Sequence, residues 1–258
     1  MEHQENRDVI VVGAGPSGSI CAILLGRMGY NVLLVDKAKF PRDKPCGDGI
    51  SGKSVSLLKE FGLFEKIPSI EHQICDGATI YLSDEIKVEL DDATNTGFTS
   101  KRVVYDNFLF EKAKELVDVL EEFSVTDLII ENSKVMGVKG INLKTKEGII
   151  CKAKVVVGAD GANSVVASKL GLNKFEPKHR ASALRVYYKN ISAVSKKLEL
   201  YFLDNIMPGY FWIFPLENGQ ANVGIGMVVS EMQNRKISLQ ELMLNEIKTN
   251  PLLTERFK

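Results

Sequence analysis

Residues 8–37, DVIVVGAGPSGSICAILLGRMGYNVLLVDK, constrain the fold more than any other stretch of the chain. Val9 to Val12 is a continuous run of β-branched residues, which suits a strand buried on both faces. Gly13, Gly15 and Gly18 then form GxGxxG, and an apolar helix runs to about Met28 and stops at Gly29. A second apolar run, Val32 to Val35, ends in Asp36. Each part has its own physical task. Gly13 permits a tight turn, Gly15 lets backbone approach a pyrophosphate, and Gly18 lets the helix pack close to the strand. The helix start, with Pro16 and Ser17, offers free N–H groups and a partial positive charge to phosphates. Asp36, with Lys37 beside it, stands where a carboxylate accepts hydrogen bonds from an adenosine ribose. A lone glycine motif is weak, but this one follows a strand, opens a helix and has its acidic residue in place. The stretch predicts dinucleotide binding.

The rest of the composition narrows the class. Hydrophobic residues make up 45% of 258 residues, enough to bury a large core. Lysine plus arginine equals aspartate plus glutamate at 33 each, which removes the electrostatic case for nucleic acid. No apolar run approaches the ~20 residues of a transmembrane helix, and the polar start MEHQENRD carries no signal peptide. Cys21, Cys46, Cys75 and Cys151 are far apart in sequence, so neither a disulfide framework nor a metal site is expected. These features predict a cytoplasmic chain and leave room for peripheral contact with a membrane surface.

Three further segments choose between dinucleotides. GADGANSVVASKLG, residues 158–171, follows the apolar run Val155 to Val157 and resembles the second fingerprint of FAD-dependent hydroxylase-type flavoproteins. KRVVYDNFL resembles the Arg-x-x-x-Asp segment of that superfamily, here Arg102 and Asp106. KPCGDGIS, residues 44–51, together with PGYFWIFP, residues 208–215, resembles one branch, the geranylgeranyl reductase family. The resemblance covers essentially the whole chain. It implies an α/β fold, a Rossmann-like FAD-binding domain with an interleaved antiparallel β-sheet substrate domain. The expected division is 1–75 and 100–175 for FAD, 76–99 and 176–258 for substrate.

The resemblance also implies roles. Cofactor contacts fall on Gly13, Gly15, Pro16, Ser17, Gly18, Asp36, Lys37, Cys46, Gly47, Gly49, Arg102, Val125 through its backbone, and Asp160. Cys46 has an ordinary reading as a buried thiol. Its place between Pro45 and Gly47, with charges nearby, favours a loop, which the family places at the flavin ring. Asp160 also suits capping of the helix that follows it, and the two roles are compatible. Arg102 can be read as a solvated charge beside Lys101 or as a flavin contact just ahead of a helix.

Strands are expected at Ala78–Leu82, Ile86–Leu90, Val119–Ile130, Lys134–Val138, Ser182–Ile191, Leu198–Leu203, Tyr210–Phe214 and Gln220–Val229, with a helix at Ser238–Lys248. Alternation puts Tyr210, Trp212 and Phe214 on one face of their strand, and Phe211 and Ile213 on the other. Such a face is either ordinary core or a smooth wall for an apolar ligand. The family makes it the wall of a polyprenyl pocket, with Gly224 and Gly226 leaving space beside it.

The function implied is reduction of carbon–carbon double bonds in a polyprenyl (geranylgeranyl-type) lipid or quinone by hydride from reduced flavin. An isolated alkene also needs a proton, and Cys46 and Tyr210 are the candidate donors. The external electron donor, NAD(P)H or ferredoxin, has no fingerprint of its own here. Two other readings are an electron-transfer flavoprotein–quinone oxidoreductase or hydroxylase-type monooxygenase, and a non-catalytic fragment. The superfamily's GDAAG-like third segment is not found: the Gly-Asp pair present, Gly47-Asp48, lies in the cysteine loop. The chain therefore reads as C-terminally truncated, and weak FAD retention is expected of it.

Overall fold

The computed structural model describes residues 2–82, 86–91 and 97–258, with side chains from Asn6 onward. The chain begins β1 (Glu2–Val12), α1 (Pro16–Arg27), β2 (Val32–Val35), β3 (Gly49–Ile50), α2 (Gly52–Glu60), β4 (Gln73–Cys75), β5 (Gly77–Tyr81), β6 (Lys87–Asp91) and β7 (Gly97–Thr99). It continues α3 (Arg102–Lys114), β8 (Asp118–Leu120), β9 (Phe123–Glu131), β10 (Lys134–Asn142), β11 (Gly148–Gly158) and α4 (Val165–Lys169). Last come β12 (Ala181–Lys189), β13 (Leu198–Tyr201), β14 (Gly209–Pro215), β15 (Gln220–Val228), α5 (Val229–Arg235), α6 (Leu239–Thr249) and α7 (Pro251–Thr254). Residues 83–85, which join the two strands expected at Ala78–Leu82 and Ile86–Leu90, lie outside the described residues.

Contacts divide the chain into two compact units, Met1–Asp43 with Val103–Lys174, and Lys44–Arg102 with Phe175–Lys258. The first holds a six-stranded sheet in the order β8-β2-β1-β11-β10-β9. Its β8, β2, β1 and β11 run parallel, as a Rossmann-like layer requires, while β10 pairs antiparallel with both β11 and β9. The core contains Ile10, Val12, Leu33, Val35, Phe123, Leu128, Val138 and Cys151. Val9 to Val12 and Val32 to Val35 are buried throughout, which is why both read as unbroken apolar runs rather than alternating ones.

The segment Val119–Ile130, expected as one strand, is two. The chain turns at Glu121–Glu122, with Glu122 in the left-handed region (φ 56°). β8 pairs with β2, whereas β9 pairs with β10 at the opposite end of the strand order. Two consecutive glutamates in an otherwise strand-like run mark that break.

The second unit holds a six-stranded sheet, β12-β15-β14-β13-β5-β6, and a small sheet, β3-β7-β4. The larger is antiparallel apart from the parallel β13·β5 pair. Phe211, Ile213, Val223, Ile225 and Met227 pack with Tyr201, Leu239, Met243 and Leu253 into its core. Residues 44–75, assigned from sequence to the cofactor domain, group with this unit instead. Asn222 of β15 donates to the Cys46 carbonyl, and the Ser100 amide donates to the Asp48 carbonyl, so the cysteine loop is tied to the sheet.

Candidate functional site

In the first unit, three loops meet at the C-terminal ends of β1, β2 and β11, where doubly wound sheets bind ligands. The Gly13 amide donates to Val35 O at 2.7 Å, and the Ala159 amide donates to Val12 O at 2.8 Å. Gly13 (φ 98°) is packed against the second fingerprint: a Cβ there would stand 2.5 Å from Ala159 O. A Cβ on Gly18 would stand 1.7 Å from Gly13 O. Both positions therefore admit glycine alone. Gly15, by contrast, has the extended backbone of an ordinary N-cap (φ −67°, ψ −178°), and no side chain caps α1 after it. With Pro16 lacking an N–H, the start of this twelve-residue helix keeps donors for an anion.

Asp36 accepts hydrogen bonds from the Ala14 amide (2.7 Å) and the Ala38 amide (2.8 Å), one on each oxygen. The carboxylate thus braces the glycine turn and retains further lone pairs for a ribose. Lys37, next to it, is exposed. Asp160 caps α4, accepting from Ser164 Oγ (2.5 Å) and from the Val165 (2.6 Å) and Val166 (3.3 Å) amides. Val125 lies in β9 with its side chain in the core, which leaves its backbone for any outside contact. Sequence reasoning named Asp106 but missed its partner: Arg42 Nη1 stands 2.7 Å from the fully buried Asp106 carboxylate. Arg42 also stacks over Phe40, itself stacked on Phe110 at 4.3 Å. A lone arginine just upstream of the cysteine loop carried no periodic signal to reveal this.

In the second unit, Tyr210, Trp212 and Phe214 share the face of β14 opposite Phe211 and Ile213, which are fully buried in the core. The three rings follow one another along the strand, 5.8 Å from Tyr210 to Trp212 and 6.2 Å from Trp212 to Phe214. They line a cavity of about 520 Å³, together with Cys46, Gly47, Arg185, Gly226 and Met227. Cys46 is half-buried and Tyr210 is exposed at 40%. Gly47 and Gly49 lie over the Phe214 ring; a Cβ at Gly47 would be 3.0 Å from Phe214 Cε2.

Gly224 needs correction. A Cβ there would be 2.1 Å from Trp212 Cζ2, so the space it leaves is filled by the indole. Gly226, two residues on, borders the cavity itself. Arg102 opens α3, and its backbone amide faces the Asp48 carboxylate.

Behind the wall lies a polar cluster that the sequence did not disclose. Asn222 is fully buried; its Oδ1 accepts from Trp212 Nε1 (2.9 Å), and its Nδ2 donates to Cys46 O (2.7 Å) and Asp48 Oδ2 (2.8 Å). Asp48 Oδ2 also accepts from the Tyr187 hydroxyl at 2.8 Å. Burial pushes the Asp48 carboxyl above its ordinary range, against the opposing pull of Asn222, Tyr187 and Arg185. The one available signal was a single asparagine in the apolar run of β15.

The family described as "FAD binding domain" matches residues 6–249. A digeranylgeranylglycerophospholipid reductase of Methanococcoides burtonii is 30% identical over 240 residues, covering 90% of this chain and 57% of the relative. A menaquinone reductase of Mycobacterium tuberculosis is 31% identical, covering 94% and 60%. The chain thus spans about three fifths of the length of these relatives. Among solved structures, a geranylgeranyl bacteriochlorophyll reductase-like protein of Thermoplasma acidophilum superposes with a TM-score of 0.86 at 28% identity, covering 98% of this chain and 64% of that one. A myxobacterial chondrochloren halogenase superposes at 0.84 with 22% identity, a likeness of fold alone.

Proposed function

Because this chain belongs to the FAD binding domain family, we propose that it is the FAD- and substrate-holding part of a reductase of carbon–carbon double bonds in a polyprenyl lipid or in the side chain of a quinone. The observation that carries the reading is the aromatic cavity of the second unit, about 520 Å³ and lined mainly by apolar side chains, with a cysteine loop at its wall. Similarity to reductases of a prenylated phospholipid and of menaquinone supports the substrate class.

The residues of the first unit fit FAD. Gly13 and Gly18 let the turn, the second loop and α1 pack closely, and α1 opens without a capping side chain, which leaves its first amides for a diphosphate. The diphosphate is assigned to the turn from Gly13 to Gly18, including Gly15, Pro16 and Ser17, and the adenosine ribose to Asp36 and Lys37. Val125 is assigned to the adenine through its backbone. Asp160 positions the second loop, and Arg102, Cys46, Gly47 and Gly49 are assigned to the flavin. The cofactor, when bound and reduced, supplies a hydride.

The chain's own residues do the rest. Tyr210, Trp212 and Phe214 align the prenyl chain and exclude water from it. Reduction of an unactivated alkene also needs a proton on the second carbon, and the Cys46 thiol and Tyr210 hydroxyl are the donors assigned to it. Among the described residues, no helix is long and apolar enough to cross a membrane. The substrate's apolar character is the reason to assign peripheral membrane contact.

The test is an anaerobic assay of the full-length protein with chemically reduced flavin and a panel of prenyl lipids and menaquinones, read by mass. Gain of two hydrogens in the prenyl chain is expected. Reduction of the quinone ring with the chain left unsaturated, or no turnover of any prenyl compound, would reject the proposal.

A further inference from the structure

We propose that Asp48 and Asn222 are positioning residues of the prenyl pocket: together they fix the Trp212 ring against the Cys46 peptide and so set the pocket's shape. This rests on the cavity being the prenyl site.

The orientation of Asn222 is dictated by its partners. An indole N–H only donates, and a peptide carbonyl and a carboxylate only accept. Oδ1 must therefore face Trp212, and Nδ2 must face Cys46 O and Asp48 Oδ2, as the distances of 2.9, 2.7 and 2.8 Å require. One amide thus ties the wall of the pocket to its cysteine loop. Asp48 holds that amide in place. It is 1% exposed and sits in the left-handed region (φ 63°), a conformation aspartate tolerates better than most residues. Its backbone carbonyl is bonded by Ser100 and its Oδ2 by both Tyr187 and Asn222. Its Oδ1 is buried with no hydrogen bond.

Such a cluster is costly to bury, and an apolar replacement of similar shape serves stability as well or better. What the polar cluster adds is a single ring orientation. Trp212 is held at Nε1 by Asn222, at its benzo edge by the Gly224 backbone, and between the rings of Tyr210 and Phe214.

The charge state of Asp48 supplies a readout. Facing it are Arg185 and Tyr187 of β12, Asn222 of β15 and the Arg102 amide; Lys101 Nζ stands 5.3 Å from the Tyr187 ring centroid. None of these groups is a carboxyl or an imidazole. Glu71, 4.0 Å from Lys101 Nζ, is a carboxylate further out, and Asp48→Asn separates the two.

Trp212 is the chain's one tryptophan, so its indole N–H gives a single resonance in the 15N-labelled protein. That proton is expected to exchange slowly with solvent, and its shift to follow a titration above the usual aspartate range, absent in Asp48→Asn. Geranylgeraniol binding is then followed by Trp212 fluorescence. Asn222→Leu and Asp48→Leu are expected to weaken it about tenfold, a loss of about 1.4 kcal/mol. Asp48→Asn keeps the acceptor for both donors and is expected to bind like the wild type at neutral pH. A freely exchanging indole proton, or one whose shift is flat with pH, would overturn the clamp without need of a folded variant. So would wild-type affinity in Asn222→Leu and Asp48→Leu proteins that retain native circular dichroism. If the wild type itself fails to bind geranylgeraniol, the prenyl reading falls and with it the clamp's role in substrate fit, while the indole measurement still decides the clamp.

Discussion

Gly13 and Gly15 belong to one motif yet fail differently when replaced. Gly13 combines φ 98° with a Cβ position 2.5 Å from Ala159 O. Gly13→Ala should therefore destabilise the first unit by about 1–3 kcal/mol, read as a lower urea midpoint by circular dichroism. Gly15 has a backbone open to any residue. Gly15→Val should leave that midpoint near the wild type while the full-length protein loses its flavin absorbance, because the side chain blocks the phosphates. At Gly224 the obstacle is Trp212, 2.1 Å from a Cβ. Gly224→Ala should shift Trp212 emission and cost about 1–3 kcal/mol through overpacking. For Asp48 the sign follows from burial. Its buried carboxyl holds a proton more tightly in the folded chain than an ordinary aspartate does, so the charged form opposes folding at pH above the raised value. That penalty is relieved as pH falls through it. Asp48→Asn should be more stable than the wild type at neutral pH, and the difference should shrink on acidification, as urea midpoints measured across the acid range will show.

The elements reveal how local rules were obeyed or overridden. α1 starts at proline and stops just before Gly29 (φ 81°), whose amide donates to Gly26 O, so both ends were visible in the sequence. β14 alternated as written, because one face had a core to meet. β11 runs from Gly148 to Gly158, well beyond the apolar triplet that signalled it, because β1 pairs with it from Ile149 to Gly158 and β10 pairs with its first half from the other side. α4 has five residues and depends on Asp160 and Ser164 for its start. Asp160→Ala should cost about 1 kcal/mol and speed hydrogen exchange at the Val165 and Val166 amides, with Asp160→Asn restoring most of the protection.

At the scale of the whole molecule, each unit is assembled from two stretches of chain, so distant residues complete each core. Arg256 is the sharpest case. Its guanidinium pairs with Glu199 and bonds the Tyr201 hydroxyl, while Nη2 donates to Ala193 O at 3.1 Å. Tyr201 in turn stacks on Tyr81 at 4.4 Å. The side chain of Glu199 is 4% exposed, so Arg256→Ala would leave a buried carboxylate without its cation. The expected loss is about 3–5 kcal/mol, seen as an earlier unfolding transition in Trp212 fluorescence.

Local order was written in the chain itself. The glycine turn, the capped helix, the apolar strands and the aromatic alternation each depend on residues close in sequence, where chain geometry alone decides what can form. Those features were enough to read a dinucleotide fold, while the aromatic face stayed open between core and ligand wall until the family resemblance made it a pocket. Tertiary structure alone decided that Val119–Ile130 breaks into two differently paired strands, that residues 44–75 join the second unit, and that Gly224 makes room for an indole rather than a ligand. It alone brought Asp48 to Asn222 and Arg42 to Asp106. A buried polar group is defined by the partner that satisfies it, and these partners come from remote stretches that no local pattern connects.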